Sequence, residues 1–328
     1  MTIPPSTMTL ASRYTGAYTS IEQLIEVRRE SCPLNFARHK KTLAAMAGSH
    51  RSSFRGRGLD FDEVRLYQAG DEVRSIDWRV TARTGTPHTK LFREEREQWV
   101  YLLVDQKSSL FFGSQATFKS VVAAQVAAWL AWATVANHDR VGGFIFSDLA
   151  HQEYRPTGGK QGALHLLHGL DKFNRALSKE SLLSQAAQPA EGRSTLTQAL
   201  TRLQRVVRPG SLICIISDFY GLDNAAQQSL TDIIRHHNVM TFLISDPLEK
   251  QAPPPGHYTF GKGHLRMSLS TNSKTAREAY QSLYTQRMKT LVDILRPYPV
   301  PLLELGTESN YFALLRSTLG SGTRKVRA

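Results

Sequence analysis

The sequence predicts an α/β protein built on a doubly wound, mostly parallel sheet, and three observations lead there. Nearly unbroken apolar runs at Trp99–Val104, Ser211–Ile216 and Val239–Ile244 are the pattern of strands covered on both faces. The segments between them are long and periodic enough to be crossover helices. Each run also stops at an acidic residue, Asp105, Asp218 or Asp246, at the carboxyl edge where open α/β sheets hold their functional crevice.

Taken in order, Ile21–Arg29 has the apolar spacing of a short amphipathic helix, and residues 30–50 are basic and irregular. Arg51–Glu97 is dense in Gly, Arg and Asp and has too few periodic apolar positions for a core of its own, so it is expected to be an ordered arm packed on the main domain. Trp99–Val104 is the first strand, and Phe118–Ala136, rich in Ala, is a long helix. Arg140–Phe146 is a second strand, and Ala150–Arg155 returns antiparallel at an edge. Helices are expected over Lys160–Leu170, Thr195–Val206 and 223–237, with strands at Ser211–Ile216 and Val239–Ile244 between and after the last two. Residues 247–273 break this rhythm with Pro253-Pro254-Pro255 and two short alternating runs, which suggests an inserted hairpin. A helix Ala276–Leu295, a strand Val300–Leu305 and a helix Tyr311–Leu319 complete the pattern. The expected division is an N-terminal helix and arm over 1–97, the sheet domain over 98–320 and a basic tail over 321–328.

Composition narrows the class of function. With 328 residues, 41% hydrophobic and 21% charged, the chain has ordinary globular usage rather than that of a disordered or multi-span membrane protein. The net charge of +13 invites a nucleic-acid reading, but the basic surplus is dispersed, and only Arg324, Lys325 and Arg327 form a short basic run. Cys32 and Cys214 are far apart, and Cys214 sits in an apolar run, so reduced thiols and a cytoplasmic location are expected. The start of the chain has no basic, apolar signal pattern. Val121–Ala136, interrupted by Gln125 and Thr134, falls short of the roughly 20 residues of a membrane span and is expected to be a buried helix.

The strand ends carry the most specific constellation. Asp105-Gln106-Lys107-Ser108-Ser109 closes the first strand, Gly192-Arg193-Ser194-Thr195-Leu196 precedes a helix, and Ser217-Asp218-Phe219 closes a later strand. A strand-end Asp can simply cap the helix that follows, but the three loops together resemble the metal-ion-dependent adhesion site of von Willebrand factor A domains. That resemblance assigns Asp105 and Ser109 to the first loop, Ser194 to the position of a Thr in the second and Asp218 to the third. It implies a von Willebrand factor A-like fold and a Mg²⁺ site. Lys107 stands where the middle serine would be, an ammonium in place of a neutral oxygen, so the site is expected to be degenerate and metal-independent.

The arm carries a longer pattern, Arg55-Gly56-Arg57-Gly58-Leu59-Asp60-Phe61-Asp62-Glu63-Val64-Arg65-Leu66-Tyr67-Gln68-Ala69-Gly70-Asp71-Glu72-Val73-Arg74-Ser75-Ile76-Asp77-Trp78-Arg79, continued by Ala82-Arg83 and Lys90–Glu95. It resembles the domain of unknown function 58 family. The resemblance implies a protein encoded beside a MoxR-type AAA+ ATPase and acting with it as an adaptor in chaperone-like assembly of a client protein; it supplies no biochemical activity, and the chain is expected to be non-enzymatic. Read from the residues alone, the alternating arginines and carboxylates suit Arg–carboxylate pairs that hold the arm in place, so that Arg74 and Asp77 would be structural. A partner-binding surface is the other reading of the same residues.

Two rival functions stand beside the adaptor: a metal-dependent hydrolase using Asp60, Asp62 and the strand-end aspartates, and a nucleic-acid binder. The first lacks a nameable general base, and the second lacks aromatic residues interleaved with the basic ones. His165 and His168 share a helix face without a third metal ligand, His236-His237 ends a helix, and Gly158-Gly159-Lys160 lacks the spacing of a phosphate-binding loop.

Overall fold

The computed structural model describes residues 15–34, 59–68, 73–94, 97–183, 194–262 and 265–320. It divides into two compact units, Ser49–Gln98 and the remainder, Met1–Gly48 with Trp99–Ala328.

The smaller unit contains a hairpin where the sequence has too few periodic apolar positions to indicate one. Strands β1 (Leu59–Leu66) and β2 (His88–Glu94) pair antiparallel, with a bulge between Phe61 and Glu63. A short helix, Trp78–Thr84, starts where Asp77 Oδ1 accepts the N–H groups of Arg79 and Val80, at 3.0 and 3.2 Å, and stops at Gly85, whose φ of 73° suits a residue without Cβ. Asp77 is thus an N-cap. Arg65 donates to the Leu66 carbonyl at 3.1 Å, and the Tyr67 N–H bonds to the Pro87 carbonyl. Arg55, Gly56, Arg57, Gly58, Gly70 and Asp71 lie outside the described residues, as do the side chains of Arg74, Asp60 and Asp62.

The larger unit is a six-stranded sheet. Its strands are β3 (Trp99–Asp105), β4 (Arg140–Phe146), β5 (His151–Gly158), β6 (Leu212–Ser217), β7 (Asn238–Ser245) and β10 (Leu302–Gly306). The spatial order is β10-β7-β6-β3-β4-β5, all parallel except β5, which runs antiparallel to β4 at the edge. From β3 the chain winds outward through β4 and β5, then returns to the other side of β3 as β6. The switch point therefore lies between β3 and β6, and the carboxyl ends of those two strands are Asp105 and the Ser217-Asp218 corner. An additional hairpin, β8 (His257–Lys262) with β9 (Leu265–Ser270), occupies the Pro-rich interruption.

Both faces of this sheet are covered, which is why its strands read as continuous apolar runs. Val100, Leu102 and Val104 belong to one core, with the helices Lys119–Ala136, Gly159–Leu183 and Tyr311–Leu319. Tyr101 and Leu103 belong to the other, with the helices Thr195–Val206, Asn224–His236 and the end of Lys274–Leu295. The Gly159–Leu183 helix runs well past the expected Leu170. Lys119–Ala136 is long and apolar enough to cross a membrane by length and composition, and almost all of it is buried in this unit. Apolar around its whole circumference, it has no solvent face to keep polar.

The N-terminal helix Ile21–Glu26, closed by a capping box between Ser20 and Gln23, belongs to the same unit. It is tied down by Trp132 Nε1 donating to the Leu24 carbonyl at 3.1 Å and Trp129 Nε1 donating to the Glu30 carbonyl at 2.9 Å. At the other edge, a Cβ on Gly142 would lie 2.5 Å from both the Tyr154 carbonyl oxygen and the Pro156 nitrogen, so the bulged β4–β5 pair accepts only glycine there. Cys32 and Cys214 are free thiols.

Candidate functional site

Each of the three strand-end aspartates folds back on its own chain in the same way. Asp105 Oδ1 accepts the Lys107 N–H at 2.9 Å, Asp218 Oδ1 accepts the Tyr220 N–H at 2.9 Å, and Asp246 Oδ1 accepts the Leu248 N–H at 2.9 Å. This is the local habit of Asp at the end of an extended segment. The other contacts separate the three.

Asp246 remains a structural residue. It takes the Ser114 N–H and hydroxyl at 2.8 and 2.6 Å and the Thr307 hydroxyl at 2.7 Å, and forms a capping box with Glu249. These donors hold its carboxyl below the usual range against the opposing effect of burial.

Asp105 and Asp218 are buried and converge on two ammonium groups. Lys107 Nζ lies 3.3 Å from Asp105 Oδ2 and 3.9 Å from Asp218 Oδ1, and donates to the Tyr220 carbonyl at 2.8 Å. Lys119 Nζ donates to Asp218 Oδ2 at 3.1 Å and to Glu249 Oε1 at 2.7 Å. Ser217 donates its hydroxyl to Asp105 Oδ2 at 2.6 Å. Between these contacts the loop turns sharply through Phe219, which is buried and holds a left-handed φ of 52°, a conformation costing a non-glycine residue roughly 1–2 kcal/mol. The turn leaves the Tyr220 side chain 61% exposed at the rim while its carbonyl faces Lys107.

The electrostatics follow from burial and pairing. Burial pushes Asp218 up, but the ammoniums of Lys119 and Lys107 outweigh it and hold its carboxyl far below the usual range. Burial pushes Asp105 from 3.8 up to about 6, with the Asp218 charge adding to the rise and Lys107 opposing it. Both lysines stay protonated, because their carboxylate partners outweigh the burial that would neutralise them.

The pH dependence has a definite sign. Native Asp105 binds its proton more tightly than the unfolded chain does, so its contribution to stability is full below about pH 4 and is lost as pH rises through about 6. His151 and His237, pushed down by burial, act in the opposite direction as pH falls. The informative measurement is therefore a comparison: melting temperature from pH 5 to 7 should fall more for the parent than for Asp105→Asn. Parallel curves would mean that Asp105 does not titrate in this window.

The residues that the adhesion-site resemblance assigns to Mg²⁺ do not fit a divalent cation. The oxygens a cation would need are engaged by ammonium, hydroxyl and amide donors. Ser194 is turned to helix capping: its hydroxyl accepts the Thr197 N–H at 3.1 Å, and its own N–H bonds to Asp223 at 3.1 Å. Ser109 Oγ is enclosed without a hydrogen-bond partner, a single neutral oxygen where Mg²⁺ requires near-octahedral oxygen coordination. Among the described residues there is no group of three or more His, Cys, Asp or Glu side chains placed to hold a metal. His165 and His168 line an open cavity of about 350 Å³ with Gln152, Tyr154 and Lys172.

The site thus unites Asp105, Lys107 and Asp218, keeps Ser194 in a separate capping network, and adds Lys119, Glu249 and Ser217, which sequence reasoning did not single out. Two signals pointed to the first two. Lys119 is the one charged residue of its helix and sits in the first turn, where the helix dipole disfavours a cation unless a carboxylate compensates. Glu249 stands three residues after Asp246, the spacing of a capping box.

A family model described as "Protein of unknown function DUF58" matches residues 63–290. Uncharacterized proteins of Mycobacterium bovis and Mycobacterium tuberculosis are each 28% identical over 275 residues, covering 84% of this chain and 83% of the relative. Among solved structures, the crystal structure of the conserved hypothetical protein BatB from Bacteroides thetaiotaomicron aligns with a TM-score of 0.38 and 12% identity, covering 67% of this chain and 96% of that one.

Proposed function

This chain belongs to the DUF58 family of proteins of unknown function, and on that premise we propose that it is a non-enzymatic, cytoplasmic adaptor of von Willebrand factor A-like architecture, working with a MoxR-type AAA+ ATPase on a client protein. The observation that carries the reading is the placement of Lys107, whose ammonium lies between Asp105 and Asp218 and holds the Tyr220 carbonyl. A cation built into the chain neutralises the strand-end carboxylates, which disfavours their use as metal ligands or as a general base. It also braces the turn that presents Tyr220. An exposed aromatic on a rigid turn is a common anchor in protein interfaces. The near balance of acidic and basic groups in the crevice likewise argues against nucleic acid as its ligand.

The test uses the full chain and the purified MoxR-type ATPase of the same host. Sedimentation should show a complex, and Tyr220→Ala should weaken it about tenfold or more while melting like the parent. Absence of a complex at tens of micromolar, or ester or phosphodiester hydrolysis abolished by Asp218→Asn, would overturn the adaptor reading.

A further inference from the structure

We infer that the exposed face of the arm helix Trp78–Thr84, formed by Trp78, Arg79 and Arg83, is a docking surface for an acidic segment of a protein partner, the ATPase of the adaptor reading on which this inference rests. Trp78 is 67% exposed, while Trp129 and Trp132 are buried. Burying a tryptophan stabilises a protein substantially, and in this small unit it stands in solvent instead. Leu66 and Val73 of the same unit are each 59% exposed. Leu66 pairs with His88 across the hairpin, and the His88 carbonyl also bonds to the N–H of Asp77, the residue before Trp78. Leu66 and the residue preceding Trp78 are therefore held by the same residue of β2.

Part of the charge pattern on this helix works against its own stability, although Arg83 sits in the last turn, where the dipole favours a cation. Arg79 and Arg83 are four residues apart, so their like charges share a face and repel. Arg79 also lies in the first turn, where the helix dipole disfavours a cation. Both side chains are exposed, and neither guanidinium has an ion-pair or hydrogen-bond partner among the described residues. Among the described residues the expectation of Arg–carboxylate pairs thus differs at Arg83 and at Arg79, while Asp77 Oδ1 caps the helix N–H groups. Two exposed guanidiniums on the same short helix as an exposed indole are the residue types that dominate protein interfaces once a partner desolvates them.

Charge complementarity sets the occupant: carboxylates for the guanidiniums, flanked by an apolar side chain for the indole. Nucleic acid fits less well, because residues 51–97 carry ten basic side chains against nine acidic ones, leaving no field to attract a polyanion.

The experiment titrates the full chain with the purified MoxR-type ATPase of the same host, following affinity and acrylamide quenching of tryptophan fluorescence. Binding should protect Trp78 from quencher. Trp78→Ala and the double variant Arg79→Glu/Arg83→Glu should each weaken binding tenfold or more without lowering the melting temperature, and Arg79→Lys/Arg83→Lys should retain most of the affinity. If the parent binds and these variants bind equally well, the docking surface is refuted and the adaptor reading stands. If the parent does not bind, both fall. A single-stranded oligothymidylate that binds the parent at physiological salt and loses affinity in the same variants would make the face a nucleic-acid platform and overturn the inference.

Discussion

Replacing Lys119 by Met is expected to lower the melting temperature by roughly 6–20 °C. Lys119 Nζ is the shared partner of Asp218 and Glu249, at 3.1 and 2.7 Å, and both the ammonium and Asp218 are enclosed. A methionine fills nearly the same volume, so packing is retained and the loss is electrostatic. Removing one member of a buried pair leaves the other charged and desolvated, which costs about 3–5 kcal/mol, and each kcal/mol shifts the midpoint by about 2–4 °C in a domain of this size. Differential scanning calorimetry measures it directly. The double variant Lys119→Met/Asp218→Asn should recover part of the loss, since the stranded charge is then gone as well. A single variant melting within a degree or two of the parent would mean that water reaches the cluster and screens it.

The second large effect is a gain. Lys107→Ser removes the ammonium between Asp105 and Asp218 and supplies a hydroxyl at a position that now carries positive charge. Asp218 keeps Lys119 and Asp105 keeps the Ser217 hydroxyl, but the ammonium the two carboxylates share is gone, and Ser109 Oγ is nearby in sequence without a hydrogen-bond partner. That environment favours a divalent cation. Calorimetric titration of Mg²⁺ and Mn²⁺ should show no binding to the parent and submillimolar binding to Lys107→Ser, accompanied by a rise in the variant's melting temperature as metal is added. Equal binding by the two proteins would show that the Lys107 ammonium does not exclude a cation from the site.

These two lysines mark the boundary of what could be read from the sequence. Lys107 was legible because its neighbours form a recognisable loop and an ammonium breaks the pattern at one position. Lys119 lies outside that loop, at the start of the helix Lys119–Ala136, which packs in the same core as Val104 and Leu110. Only the packing of Lys119–Ala136 over β3 and β6 brings its first turn to Asp218. Ser194 shows the reverse case, a residue that matches a loop pattern yet serves to cap its own helix.

By itself, the sequence determined the α/β class, the five parallel strands of the main sheet, its antiparallel edge strand, the inserted hairpin and the strand-end aspartates. Those features come from local periodicity and turn chemistry, which act over a few residues. It also determined the family, through the long arm motif. The resemblance to the adhesion site already grouped Asp105 with Asp218; the tertiary structure alone decided that Lys119 and Glu249 join them across the β3–β6 switch point while Asp246 goes to a structural network. It alone decided that Trp78 stands in solvent. Strand order and solvent exposure depend on which surfaces bury one another across the whole fold, and no window of sequence contains both partners of such a contact.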